Sequence, residues 1–208
     1  MHNNAQQLFK KYLIQYFINN PKVLEVGPDT SPSSLQKLVN ENFRVDSWHT
    51  LELESEFSKN KCLHSKLTKS QINVLAEDPY CFPVDDNTYD VVVSAFVIEH
   101  VPNVWVWIKE LSRIIKNKGY LVTIAPTSWP YHEAPVDCWR IYPEGMKALY
   151  ESANLEVITC LNDCLELNHN IRHFPGWTYQ ENFKNKLKKL IGWPVTAAYD
   201  TVAVGRKR

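Results

Sequence analysis

Neither charge is in surplus. There are 23 Lys and Arg against 23 Asp and Glu, and the pI is near 7.0. A neutral chain lacks the basic footprint expected when nucleic acid is the main partner. Long apolar runs are missing as well. The longest, Val91 to Ile98, is far short of the roughly 20 residues that span a bilayer. The opening run MHNNAQQLFKKYLIQYF lacks the order of charge, apolar block and small-residue cleavage site of a secretory leader. Five cysteines (Cys62, Cys81, Cys138, Cys160, Cys164) are odd in number and form no C-x-x-C pair. Free thiols in a reducing, cytoplasmic setting are expected. There is no internal repeat and no low-complexity tract. Glycine is scarce, six residues in all, and only one stands in the first tight turn.

What is present is an ordinary globular composition, 44% hydrophobic and 22% charged, in a chain long enough for one domain with a sizeable core. Aromatics are plentiful, with seven Trp and ten Tyr. A flat-ligand or carbohydrate site is one use for them, core packing the other. Apolar spacing predicts helices over 5–19, 33–40, 104–116 and 144–153, and a Lys-rich helix within 165–193. Strands are expected at 22–26, 48–53, 72–75, 89–95, 120–125, 155–160 and 200–205. Asn117-Lys118-Gly119 reads as the stop of the 104–116 helix. The alternation implies an α/β fold: a Rossmann-like, doubly wound, mostly parallel seven-stranded sheet with an antiparallel hairpin on one edge.

The stretch Lys22–Asp29 organises the rest: a strand, then Gly27, then a polar turn running into a helix N-terminus. In such sheets that turn lies at the carboxyl edge, where ligands bind. Gly27-Pro28-Asp29 is not the G-x-G-x-x-G of dinucleotide sites, and Asp29 would repel a pyrophosphate. A phosphate-free, positively charged nucleoside fits better. The chain also lacks the Y-x-x-x-K dyad common in small dehydrogenases of this architecture. Three acids, Glu25, Glu52 and Asp78, fall at successive strand ends. Glu52 lies 25 residues after Gly27, where a carboxylate can accept bonds from both ribose hydroxyls.

VLEVG (23–27), LELE (51–54), EDPYCFPVDDNTYDVVVSAFVIEHV (77–101), WIKELSRIIKNKG (107–119) and LVTIAP (121–126) together resemble the class I S-adenosylmethionine-dependent methyltransferases. The resemblance is to the small glycan- and sugar-modifying O-methyltransferases of bacteria and large viruses, and covers roughly two thirds of the chain, on the motif positions just given. It implies S-adenosyl-L-methionine as cofactor. Glu25 and Gly27 would contact its methionine end, Glu52 the ribose and Asp78 the adenine amino group. Pro79 and Tyr80 would lie beside the ring, and Ala95 and Phe96 would line the sulfonium region. The first motif departs from the family's E-x-G-x-G-x-G. The implied plan is one domain over 1–208: an N-terminal helix (1–20), a cofactor-binding half (22–126), and acceptor loops with the final strands (127–208). It also admits a place within a larger multidomain glycan-synthesis enzyme, in host cytoplasm if the chain is viral.

The segment 128–145, SWPYHEAPVDCWRIYPEG, begins at the same carboxyl edge. Loops ending in D-x-W-R-x-x-P-E-G occur in methyltransferases linked to surface polysaccharide. Trp129, Tyr131, Trp139 and Arg140 are the expected sugar-binding residues, although Trp139 and Arg140 can equally pin the loop. An alcohol acceptor must lose its proton to a base in hydrogen-bond reach, and an acid-oriented His does this near neutral pH. His132 with Asp137 or Glu133 is the best such pair, and His100 is the competitor. No metal is expected. His169 and His173, with Asp163 and Glu166, have metal-like spacing without an obvious third ligand, and His132 with Asp137 and an acid would make a magnesium-dependent variant. The Lys-rich helix reads as a solvated face. The expected activity is methyl transfer to a sugar hydroxyl, such as that of rhamnose on a glycan, with no nucleic acid and no membrane span. Alternatives are a non-sugar metabolite, a silent cofactor-binding scaffold, or a dehydrogenase.

Overall fold

The computed structural model describes residues 1–58, 67–133, 136–165, 187, 190 and 199–208. Seven strands form one sheet: β1 (Lys22–Val26), β2 (Ser47–Leu53), β3 (Val74–Ala76), β4 (Tyr89–Ala95), β5 (Ile115–Pro126), β6 (Leu155–Asp163) and β7 (Asp200–Lys207). Their order is β3-β2-β1-β4-β5-β7-β6. The first five are mutually parallel, and β7 runs antiparallel between β5 and β6. The sheet reverses direction at β1 and β4, which is the switch point that opens a crevice for ligands.

The strands are buried on both faces. On one side Leu24, Val26, Val92 and Leu121 pack with Trp107, Ile108 and Leu111 of α4 (Val104–Ile114) and Met146, Leu149 and Tyr150 of α5 (Pro143–Ser152). On the other, Val23, Val91, Val93, Val122 and Val204 meet α2 (Ser34–Asn40) and the N-terminal helical segment, whose first turns are α1 (Asn3–Leu8). Two-sided burial explains why β4 reads as an unbroken apolar run. A short α3 (Glu54–Ser58) follows β2.

Several elements depart from expectation. The N-terminal helix is not uniform: α1 passes into a π turn over Phe9–Leu13 and a 3₁₀ turn over Ile14–Phe17. Ala5, Phe9, Leu13 and Phe17 recur every four residues and are all fully buried. A regular α-helix would rotate such a stripe by about 40° at each step, and one wider turn returns it to the sheet. The segment ends at Asn19 and Asn20, both at positive φ, before Pro21.

The helix expected to reach Lys116 stops at Ile114, and β5 starts directly at Ile115 with a register shift opposite Tyr89 to Val91. The left-handed residue here is Lys118, at φ 67°, not Gly119. Gly119 is needed for space: a Cβ there would lie 2.7 Å from the Asp90 carbonyl and 2.9 Å from that of Lys116. The third strand is shifted to Val74–Ala76, because Ile72 closes a 3₁₀ turn over Lys69–Gln71. The last two strands run further than expected, to Asp163 and Lys207. His169, His173 and Glu166, and all of the Lys-rich helix except Leu187 and Leu190, lie outside the described residues.

Gly119→Ala is expected to destabilise the fold by about 1–3 kcal/mol, the usual cost of overpacking against unyielding atoms. Urea unfolding measures this; an unchanged midpoint would show that the turn at 115–119 yields easily.

Candidate active site

Strand order places the expected residues in a row along the carboxyl edge. Asp78 follows β3, Glu52 is the penultimate residue of β2, Gly27 follows β1, and Ala95 ends β4 with Phe96 just beyond it. Gly27 sits at φ 71°, and its N–H donates to the Leu51 carbonyl at 3.0 Å. A Cβ there would fall 2.4 Å from Val97 Cγ2, so the β1 turn and the post-β4 segment meet across a bare backbone. Phe96 also holds positive φ, 59°. For a bulky side chain that is a strained conformation, of the kind that collects at functional sites.

The row is locally anchored. Glu25 is buried and accepts bonds from the Ser33 hydroxyl and from Trp48 Nε1, the latter at 2.9 Å. Ser33 also caps α2, accepting from Gln36 N at 2.9 Å, so one hydroxyl joins the β1 acid to the helix start. Burial pushes the Glu25 carboxyl up to about 7, against the pull of those two donors. Burial would also raise Asp29, but bonds from the Ser34 side chain and amide, with the N-terminal ammonium, hold it below its ordinary value. Glu52 accepts from its neighbour's amide, Leu53 N, at 2.9 Å. Asp78 is exposed and caps a tight turn by accepting from Tyr80 N at 2.8 Å. The Tyr80 hydroxyl accepts from Asn103 N at 3.1 Å, at the start of α4, and Pro79 is half-buried beside it.

The aromatic loop meets this edge. Cys138 N donates to the Glu99 carbonyl at 2.7 Å, Trp139 Nε1 donates to the Val101 carbonyl at 2.9 Å, and His100 Nδ1 lies against the Val136 carbonyl. Arg140 forks onto both oxygens of Asp137, whose side chain is 1% exposed, and also reaches the carbonyls of Trp129 and Pro130. Burial would raise Asp137, but the Arg140 fork and the His132 amide outweigh it and keep the carboxyl below its ordinary range. His132 Nδ1 faces the Pro130 carbonyl at 3.1 Å and Asp137 Oδ2 at 3.3 Å. Both are acceptors, so the ring proton sits on Nδ1 and Nε2 keeps its lone pair. His100 and His132 stand edge to face, with centroids 5.0 Å apart. Trp129 stacks on His2, which also touches Phe96. Tyr131 is exposed and its hydroxyl donates to Glu133 at 2.8 Å. Thus His132, Asp137 and His100 come together, Trp139 and Arg140 hold the loop in place, and the exposed Tyr131 hydrogen-bonds Glu133.

Sequence reasoning passed over Glu99, His2 and Asp200. Glu99 is 1% exposed, and neither carboxylate oxygen has a hydrogen-bond partner among the described residues. Burial pushes it up to about 8, against a partial pull from the dipole of its own backbone amide, which makes no hydrogen bond to it, and from the Arg140 charge. Its signal was an acid enclosed in the apolar run VIEHV. Asp200, also 1% exposed, accepts from Asn4 Nδ2 at 2.7 Å and faces His2 Nε2 at 3.2 Å. Only the long-range pairing of β7 brings it to this edge.

Residues 26–123 match the family model described as a methyltransferase domain. Solved structures similar to this chain include an S-adenosylmethionine-dependent methyltransferase from Archaeoglobus fulgidus, 14% identical, TM-score 0.56, covering 98% of this chain and 93% of that one. Another, from Methanosarcina mazei, is 11% identical with TM-score 0.56, covering 94% and 97%. A candidate sarcosine dimethylglycine methyltransferase from Galdieria sulphuraria is 13% identical with TM-score 0.59, covering 98% and 85%. No curated protein matches. The family match, over just under half of the chain, together with the strand order supports a methyltransferase. The methyltransferase is therefore an enzyme whose cofactor is S-adenosylmethionine, and the structural likenesses, all far below 25% identity, carry its fold. Among its described residues no helix is long and apolar enough to cross a membrane.

Glu25 and Glu99 each bind a proton more tightly folded than unfolded. Their contribution to stability is full below the ordinary value of 4.5 and is lost as pH rises through about 7 for Glu25 and about 8 for Glu99. Glu25→Gln keeps an acceptor for Ser33 and Trp48 and is expected to flatten the fall in Tm between about pH 5 and 7. An unchanged slope would contradict this assignment.

Proposed function

We propose that this methyltransferase moves the methyl group of S-adenosylmethionine to a hydroxyl of a sugar, a deoxyhexose such as rhamnose on a glycan being the acceptor class. The reading is supported chiefly by His132, an imidazole with its lone pair outward, backed by the ionised Asp137, on a loop docked at the cofactor's edge. Glu25, Gly27, Ala95 and Phe96 would surround the methionine and sulfonium, Glu52 the ribose, and Asp78, Pro79 and Tyr80 the adenine. Trp129, Tyr131, Trp139 and Arg140 are assigned to the acceptor side, the last two by holding the loop.

Bound S-adenosylmethionine would supply an activated methyl for in-line transfer to the acceptor oxygen, with S-adenosylhomocysteine as the leaving sulfide, and His132 Nε2 would take the hydroxyl proton. Asp137 stays ionised and stabilises the imidazolium. The methyl arrives already activated, so alignment and one base suffice and the reaction as proposed assigns no role to a metal. The sugar is favoured by the loop's likeness and its aromatic content. The Galdieria relative, named for small amine substrates, keeps a non-sugar small molecule as the second reading. We assign the whole chain to one catalytic domain acting in the cytoplasm, alone or within a larger glycan-synthesis enzyme.

Release of S-adenosylhomocysteine with a rhamnose-terminated acceptor tests the proposal. His132→Ala is expected to lower kcat by about 10²–10⁴, and Asp137→Ala to lower it as well, while S-adenosylhomocysteine affinity is kept. Full rate in both variants would overturn the base assignment, and cofactor binding without turnover on any acceptor would favour a scaffold. Glu52→Ala is expected to weaken S-adenosylhomocysteine binding about 10- to 100-fold, the value of charged hydrogen bonds to a diol; calorimetry showing no change would remove Glu52 from the ribose site.

A further inference from the structure

Among the described residues, Glu99 is a buried acid that the fold leaves unmatched. Its carboxylate is buried, has no hydrogen-bond partner among the described residues, and sits beside two imidazoles. Leaving such a group unmatched is costly, and native structures rarely do so without a reason. One ligand atom each from Glu99, His100 and His132 lie within 4.8 Å of one another, and His100 Nε2 is 3.8 Å from Glu99 Oε1.

Each imidazole holds Nδ1 against a backbone carbonyl, an arrangement that metal-ligating histidines share. A carbonyl can only accept, so His100 Nδ1 against the Val136 carbonyl and His132 Nδ1 against the Pro130 carbonyl both carry protons. His132 then has Nε2 to give, and His100 Nε2 faces Glu99 Oε1. Holding the far nitrogen on a backbone carbonyl is how proteins fix the tautomer and aim of a ligating His. Asp137 is not a fourth member, because both its oxygens are taken by Arg140 and by the His132 amide. A magnesium set built on His132 and Asp137 is therefore not what the structure assembles.

We propose that Glu99, His100 and His132 form a site for a divalent cation of the zinc class, and that its occupation removes His132 from proton transfer. Two imidazoles and one carboxylate are a zinc-type donor set, whereas magnesium and calcium take oxygen ligands. Ligands on tetrahedral zinc stand roughly 3.4 Å apart, so the cluster must close by about an ångström. His132, whose side chain is 29% exposed, is the member with room to turn. The cation bonds to the Nε2 that the reaction needs as a base, so binding and catalysis compete. The inhibitory half of the proposal rests on the base assigned to His132 above; the site itself does not.

The test uses the full chain stripped with EDTA and then given zinc chloride alone. Equilibrium dialysis is expected to show about one zinc per chain, and cobalt in its place a visible spectrum of a low-coordinate nitrogen–oxygen site. Glu99→Gln and His100→Ala should each abolish stoichiometric binding, with S-adenosylhomocysteine binding and thermal melting confirming that both variants fold. Turnover of the unaltered protein should fall by about a hundredfold or more at saturating zinc, the lower end of what a base contributes, and return with EDTA. No stoichiometric zinc, or zinc unaffected by both substitutions, would overturn the site. Zinc bound without slowing turnover, or speeding it, would overturn the competition. Zinc bound by these three residues with no turnover on any sugar even in EDTA would support the site and count against the sugar reading instead.

Discussion

Three hydrogen bonds tie the segment 136–139 to the turn after β4, running from His100, Cys138 and Trp139 to the carbonyls of Val136, Glu99 and Val101. They connect the strand edge to the aromatic loop. The turn follows the central strand β4, and the segment carries residues proposed for the acceptor. Two of the bonds are backbone to backbone or indole to backbone, so they fix position whatever the neighbouring side chains do. Arg140 completes the clamp by holding Asp137 and the carbonyls of Trp129 and Pro130 at once. A bidentate guanidinium–carboxylate pair is geometrically specific, and here it sets where His132 stands.

The buried acids divide into two kinds. Glu25 is matched by Ser33 and Trp48, and through Ser33 by the α2 cap, so it behaves as part of the frame under the first turn. Glu99 is unmatched and faces imidazoles. Both lose stability as pH rises, yet only the second is left without a hydrogen-bond partner among the described residues. An unfolded chain would hydrate either carboxylate freely, so the fold retains both at a cost. Such costs concentrate where function demands them.

Most of the scaffold was legible because it follows local rules. β1 and β4 are apolar runs between turn residues, α2 begins at a Ser cap, and α4 carries a clean apolar stripe. The misses have physical causes. The π turn at Phe9–Leu13 arises because a four-residue apolar period must be re-phased against a flat sheet, which a helical wheel does not reveal. The residues at 117–119 look like a helix stop but are a bulged strand entry, where Gly119 answers to the crowding of Asp90 and Lys116. In the candidate site, the acids at the strand ends stood out by their spacing, and the loop histidine by the acids near it in sequence. The partnering of Arg140 with Asp137, the docking of Trp139 on Val101 and the isolation of Glu99 depend on contacts between segments tens of residues apart.

The central claim is spatial: the cofactor's sulfur faces the loop that bears His132. A crystal structure with S-adenosylhomocysteine measures it directly. An S–C bond, an attacking oxygen and one hydrogen bond together place the sulfur within roughly 7 Å of His132 Nε2, and the account predicts that separation, with the ribose at Glu52. A sulfur more than about twice that distance away, or a ligand bound at the opposite rim of the sheet, would contradict it.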